Sequence, residues 1–130
     1  MVITNQSGIS RGYFSEEILD DIHCCLRTAM EEGGARVDGI YHCPHLPEHG
    51  CACRKPKPGL LYRAGQELNI CLQGSFMVGD SQSDLVAGAT AGCRTVMIAN
   101  GLPDTGTIEP PAEYYTDSIF GAVNWILTRT

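Results

Sequence analysis

Apolar residues along the chain alternate between two rhythms. Ile18, Ile22, Leu26, Ala29 and Met30 recur at three- and four-residue intervals, which predicts a helix with that stripe buried. Ser15 is placed to cap it, Glu16 and Glu17 suit its first turn, and Gly33-Gly34 ends it. Leu60, Leu61, Ala64 and Leu68 predict a second helix, with Pro58 in its first turn. Leu85, Ala87 and Ala89 predict a third, capped by Ser83 or Asp84 and stopped near Gly92. A fourth starts near Asp117 or Ser118 and is expected to bury Ile119, Val123, Ile126 and Leu127. Val2-Ile3 reads as the tail of a buried strand, and Val37 to Tyr41, Phe76 to Val78 and Thr95 to Ile98 read as further strands between the helices. Strands alternating with helices predict parallel pairing and an α/β layer fold. From Gly101 to Pro111 the chain is rich in Gly and Pro and predicts a loop.

Ligands on such sheets bind at the carboxyl ends of the strands. Three polar stretches fall there: Thr4-Asn5, Cys43 to Lys55, and Gly79-Asp80. Chain order alone therefore gathers them on one edge. In Gly79-Asp80-Ser81-Gln82-Ser83-Asp84, a carboxylate just past a buried strand suits Mg²⁺, which prefers hard oxygen ligands. Asp84 is placed either to support that carboxylate or to cap the next helix, and an ordinary capped strand-turn-helix is the competing explanation. Thr4-Asn5-Gln6-Ser7 offers hydroxyls and amides to phosphate oxygens, or is a polar turn. Arg54-Lys55-Pro56 offers a cation for a phosphoryl group and a planar fork for a second phosphate, or is a solvated basic pair.

A chain of 130 residues suffices for one domain with a modest core, here 1–130. A net charge of -6 argues against nucleic acid or anionic membrane as a general partner, while leaving room for a small anionic substrate. No apolar run is long enough to span a bilayer, and Met1 is followed by no signal-peptide pattern, so a cytoplasmic protein is expected. Three of the seven cysteines fall within eleven residues, as Cys43-Pro-His45 followed by Cys51-Ala-Cys53. Three thiolates and an imidazole make a closed tetrahedral set suited to structural zinc, which would pin the loop at 43–53. His42 and His49 are alternatives to His45. Cys24, Cys25, Cys71 and Cys93 are expected to be small buried residues, His23 a surface or boundary residue, and Trp125 core.

The order of the three polar stretches resembles the second, third and fourth signature motifs of the haloacid-dehalogenase superfamily. The strings TNQSGISRGYF, CRKPKPG and MVGDSQSD are similar to those of its D-glycero-D-manno-heptose 1,7-bisphosphate phosphatases and histidinol-phosphatase relatives. The likeness runs from Val2 to about Gly101. It implies a three-layer Rossmann-like parallel sheet and a Mg²⁺-dependent phosphatase of carbohydrate metabolism, in lipopolysaccharide heptose supply, acting on a small phosphorylated sugar. By the same resemblance Asp80 would bind Mg²⁺, Thr4 and Lys55 would steady the phosphoryl group, and Asn5, Gln6, Ser7, Arg54 and Ser81 would contact substrate. Cys43, His45, Cys51 and Cys53 would bind Zn²⁺. The heptose enzymes often carry a substrate-contacting lysine where this chain has Ser81.

The superfamily splits phosphate esters through an aspartyl phosphate on an Asp-x-Asp motif that follows a first, central strand. No Asp-x-Asp occurs in the 130 residues. The expectation is an N-terminally truncated fold lacking that strand, inactive by itself, with a complementing N-terminal segment as its partner. Hydrolysis of histidinol phosphate and a non-catalytic phosphate-binding remnant are the alternative functions.

Overall fold

A computed structural model describes residues 1–99 and 109–130. The expected loop from Gly101 to Pro111 and the end of the resemblance near Gly101 fall largely outside the described residues. Two compact units make up the chain, Met1–Arg54 and Lys55–Thr130.

The first unit contains β1 (Val2–Asn5), α1 (Glu16–Glu32) and β2 (Ile40–Cys43). β1 and β2 pair in parallel, with Val2 opposite Ile40 and Asn5 opposite Cys43. The second strand therefore starts later than the expected Val37, and it ends on the first cysteine of the cluster. α1 is capped as predicted, with the Ser15 hydroxyl accepting from the Ile18 amide at 3.2 Å. Its apolar stripe corrects the expectation of burial. Ile18, Ile22, Leu26 and Met30 are 38–54% exposed, Ala29 is exposed, and Leu19 is the buried residue of the helix. The reason is rotational: successive side chains of a helix are roughly 100° apart, and Leu19 rather than its neighbour Ile18 takes the inward position.

The second unit contains α2 (Gly59–Glu67), β3 (Phe76–Gly79), α3 (Gln82–Thr90), β4 (Arg94–Ile98), β5 (Tyr114–Thr116) and α4 (Ile119–Leu127). Its strands form a parallel ladder in the order β3-β4-β5, with Val78 opposite Val96 and Met97 opposite Tyr115. Sequence periodicity missed β5, a three-residue strand just past two prolines. Leu60, Leu61 and Ala64 of α2, Met77, Leu85, Ala87, Val96 and Met97 form the buried core. Gly88 lets α3 approach β3, because a Cβ there would meet Met77 at 2.6 Å.

Ser118 caps α4 as expected, accepting from the Gly121 amide at 3.2 Å. Here too the buried face is corrected. Ile119, Val123 and Leu127 are 45–64% exposed, while Ala122 is buried and Trp125 and Ile126 are half-buried. The cause is that α4 turns Trp125 towards β5, stacking its ring on Tyr114 at 4.9 Å, so its apolar stripe faces outward. Cys24, Cys25 and Cys71 are exposed rather than buried, since the helix and loop that carry them present those positions to solvent; Cys93 is buried as expected.

Among the described residues no helix is long and apolar enough to cross a membrane. The α/β fold with parallel strands is that expected from the sequence. Its strands form two ladders, β1-β2 and β3-β4-β5.

Candidate functional site

In the second unit the chemistry gathers at the carboxyl end of β3. Asp84 sits in the first turn of α3, and its carboxylate, 6% exposed, folds back over Gly79. No other residue fits at 79, because any Cβ would occupy the space of the Asp84 side chain. One carboxylate oxygen of Asp84 accepts from Lys55 Nζ at 2.5 Å. The other accepts from the Asp80 and Ser81 amides, each at 3.1 Å, and from Ser81 Oγ at 2.8 Å. Burial pushes the Asp84 carboxyl up. The Lys55 ammonium and the Ser81 hydroxyl and amide outweigh burial and hold its pKa below the ordinary carboxylate value.

Asp84 is thus a brace. It fixes the Asp80-Ser81 turn and the Lys55 side chain together, through the Asp80 amide rather than its carboxylate, and it completes the capping box of α3, whose cap is Ser81. That cap lies two residues before Ser83 and three before Asp84. The Asp80 carboxylate itself is exposed at the strand end. The Ser81 hydroxyl, expected to contact substrate, is engaged with Asp84 and with Ser83 Oγ at 2.8 Å. Asp80 offers one hard oxygen ligand, and Mg²⁺ is commonly held by one or two carboxylates together with substrate phosphates. Asp80 therefore fits as part of a Mg²⁺ shell.

In the first unit β1 and β2 end side by side. Thr4 Oγ1 accepts from Gln6 Nε2 at 3.0 Å, and the Gln6 amide donates to the Cys43 carbonyl at 2.7 Å. From Ser7 to Gly12 the chain makes successive tight turns, closed by Arg11 N to Ser7 O at 3.0 Å and Tyr13 N to Gly8 O at 2.9 Å.

The cysteine loop brings together the four residues singled out by their spacing. Cys43 Sγ lies 3.4 Å from His45 Nδ1, 3.5 Å from Cys51 Sγ and 2.9 Å from Cys53 Sγ. All four ligand atoms lie within 4.8 Å of one another. A tetrahedral ion with Zn–S bonds of about 2.3 Å needs edges of about 3.8 Å, so this cage opens by under about 1 Å to receive one. Soft thiolates with one imidazole suit Zn²⁺, and four protein ligands close the shell. Of the alternative histidines, His42 Nε2 is bonded to Glu16 Oε2 at 2.8 Å, and His49 Nδ1 accepts from the Leu46 amide at 3.1 Å.

The thiols respond to this crowding in opposite directions. Cys51 is opposed by burial, yet the Arg54 amide and the neighbouring thiols pull it down to about 6. Cys53 is pushed up to about 12 by burial and by Cys43 and Cys51. Without a cation the cage therefore opposes a thiolate at Cys53. Arg54 Nη1 donates to the His45 carbonyl at 3.4 Å, tying the end of the loop to its middle. Sequence reasoning missed two ties: Ser10 Oγ to the Pro44 carbonyl at 2.6 Å, and the His42–Glu16 pair. Neither carries a sequence signal, because a loop serine and a helix glutamate are ordinary where they stand.

The profile of the HAD-hydrolase-like family matches residues 52–121. A Helicobacter pylori (strain ATCC 700392 / 26695) D-glycero-β-D-manno-heptose-1,7-bisphosphate 7-phosphatase is 49% identical over 92 residues, covering 70% of this chain and 53% of that protein. The Pasteurella multocida protein of the same name is 43% identical over 126 residues, covering 92% and 68%. The crystal structure of D,D-heptose 1,7-bisphosphate phosphatase from B. bronchiseptica, complexed with magnesium and phosphate, superposes with a TM-score of 0.87 at 34% identity. That superposition covers 99% of this chain and 74% of the other. The chain spans 53–60% of the length of the first curated relatives it matches.

Proposed function

Since the chain belongs to the HAD-hydrolase-like family, among the D-glycero-β-D-manno-heptose-1,7-bisphosphate 7-phosphatases, we propose that it supplies the phosphate- and metal-binding part of a phosphatase for a small sugar bisphosphate. The observation that carries this reading is the brace on Asp84, which holds Lys55 and the Asp80-Ser81 turn at the end of β3. Lys55 neutralises charge on the transferred phosphoryl group, and Thr4 donates to its oxygens. Asp80 holds Mg²⁺, which when bound supplies further neutralisation of the phosphate. Asn5, Gln6, Ser7 and Arg54 contact the sugar and its second phosphate, and Ser81 is a further substrate contact. Cys43, His45, Cys51 and Cys53 hold a structural Zn²⁺ that keeps Arg54 in place.

Attack on phosphorus needs an aspartate pair that these 130 residues do not contain. A segment carrying Asp-x-Asp is therefore the partner of this chain, and the cytoplasm, where sugar phosphates are made and used, is its setting. Fusing the corresponding segment of the Pasteurella multocida relative to the chain tests the proposal. With Mg²⁺ the fusion is expected to release phosphate from D-glycero-β-D-manno-heptose 1,7-bisphosphate, and Lys55→Ala to slow it about 100-fold or more. The 130 residues alone are expected to give no turnover. A fusion that folds but preferentially hydrolyses histidinol phosphate would overturn the heptose assignment. One that hydrolyses neither would sink the enzyme reading.

A further inference from the structure

Cys43, Pro44 and His45 each present a backbone carbonyl to a donor. The Cys43 carbonyl accepts from the Gln6 amide at 2.7 Å, the Pro44 carbonyl from Ser10 Oγ at 2.6 Å, and the His45 carbonyl from Arg54 at 3.4 Å. Two of these donors belong to the loop after β1. That loop is closed on itself by Ile9 N to Gln6 O at 3.2 Å, Arg11 N to Ser7 O and Tyr13 N to Gly8 O, with the Phe14 ring packed against Gly8. It therefore moves as one body, and what holds it at Gln6 and Ser10 holds all of it. Gln6 N–Cys43 O is the last rung of the parallel ladder and would persist in any folded state. Ser10 Oγ–Pro44 O is different. It spans two loops, is exposed, and depends on where the residue between two metal ligands sits.

We propose that ion binding by Cys43, His45, Cys51 and Cys53 orders the Gln6–Tyr13 loop, and that Ser10 is the positioning residue through which the two loops are coupled. An ion that fixes Cys43 and His45 also fixes the Pro44 carbonyl between them, and the Ser10 hydroxyl then fixes the loop. Coupling of this kind is reciprocal: a ligand that prefers the ordered Gln6–Tyr13 loop tightens the ion by the factor by which the ion tightens that ligand. That consequence alone rests on the loop being a phosphate cradle.

Hydrogen exchange of the full chain with and without Zn²⁺ tests the coupling. Zn²⁺ is expected to slow exchange across residues 6–13 while leaving the α3 amides unchanged. Ser10→Ala removes one hydrogen bond and is expected to weaken Zn²⁺ about three- to tenfold in chelator competition. It should also abolish most of the ion-dependent protection at 6–13, and Ser10→Thr should restore both. Exchange at 6–13 that ignores Zn²⁺ would overturn the proposal, as would a Ser10→Ala protein matching the parent in both readouts. Inorganic phosphate is the separate probe of the cradle: if it leaves Zn²⁺ affinity unchanged while the exchange coupling persists, the cradle reading fails and the coupling stands.

Discussion

Lys55 and Asp84 show how much one ion pair can organise when both partners leave water. Their side chains are 13% and 6% exposed, and Asp84 spends its second oxygen on three donors from the Asp80-Ser81 turn. Lys55→Met keeps the stem and deletes the charge, leaving a buried carboxylate short of its counter-ion. It should cost roughly 3 kcal/mol of stability at neutral pH, read from denaturant melts. The pH dependence follows from the sign of the shift. The Asp84 pKa is lowered on folding, so its contribution is fully present above the unfolded value of 3.8 and is lost as pH falls through the lower folded value. The gap between parent and Lys55→Met should therefore hold from pH 7 to about 5, begin to shrink near about 4 and vanish only below the folded value. In the other unit, Cys53→Ser removes one of four ligands and should drop bound zinc from about one equivalent per chain to near none by atomic absorption. These residues were legible because their chemistry is local. Cysteines at 43, 51 and 53 announce a cage by spacing, with the family resemblance choosing His45 over His42 and His49, while Asp80 and Lys55 stand out from an ordinary turn and a solvated basic pair only through that resemblance. Ser10 was not legible, since its partner is a carbonyl 34 residues away.

Helices tell the reverse story. Ser15 with Gly33-Gly34 placed α1 well and Ser118 placed the start of α4, because caps are read from neighbouring residues. Which face each helix buries was not legible, since periodicity marks an apolar stripe without saying what covers it. In α1 the apolar residues Ile18 and Ile22 stay exposed beside the buried Leu19. Leu19→Ala should accordingly cost about 2–5 kcal/mol, and Ile22→Glu within about 0.5 kcal/mol, in the same melts. A comparable cost at Ile22 would show that the stripe is covered. α3 supplies a sharper case. Gly→Ala inside a helix ordinarily gains up to about 1 kcal/mol. At Gly88 the new Cβ would meet Met77 at 2.6 Å and Thr95 at 3.2 Å, so Gly88→Ala should instead destabilise by about 1–3 kcal/mol.

At the scale of the whole molecule, α1 and α4 each present a row of exposed apolar residues. Ile18, Ile22, Leu26 and Met30 line one helix, and Ile119, Phe120, Val123 and Leu127 the other. Contiguous apolar patches of this kind recruit hydrophobic dyes. The 130 residues by themselves should enhance anilinonaphthalene sulfonate emission, and Ile18→Glu with Ile22→Glu should reduce that signal without loss of far-ultraviolet ellipticity. The α/β class was legible from alternation, while the division into β1-β2 and β3-β4-β5 ladders depends on pairings between distant segments that no local pattern encodes. The single tryptophan of the chain adds one more consequence. Trp125 stacks on Tyr114 at 4.9 Å with the Arg129 guanidinium 4.1 Å from its ring, all within Lys55–Thr130, whereas the four-ligand cage lies within Met1–Arg54. Indole fluorescence therefore watches one half of the chain, and the thiolate-to-metal absorption of a cobalt-loaded sample watches the other. The fluorescent half carries most of the buried side chains, so its change in emission should follow the loss of cobalt absorption in rising urea. The molecule thus carries two built-in clocks for its own melting, set to different halves.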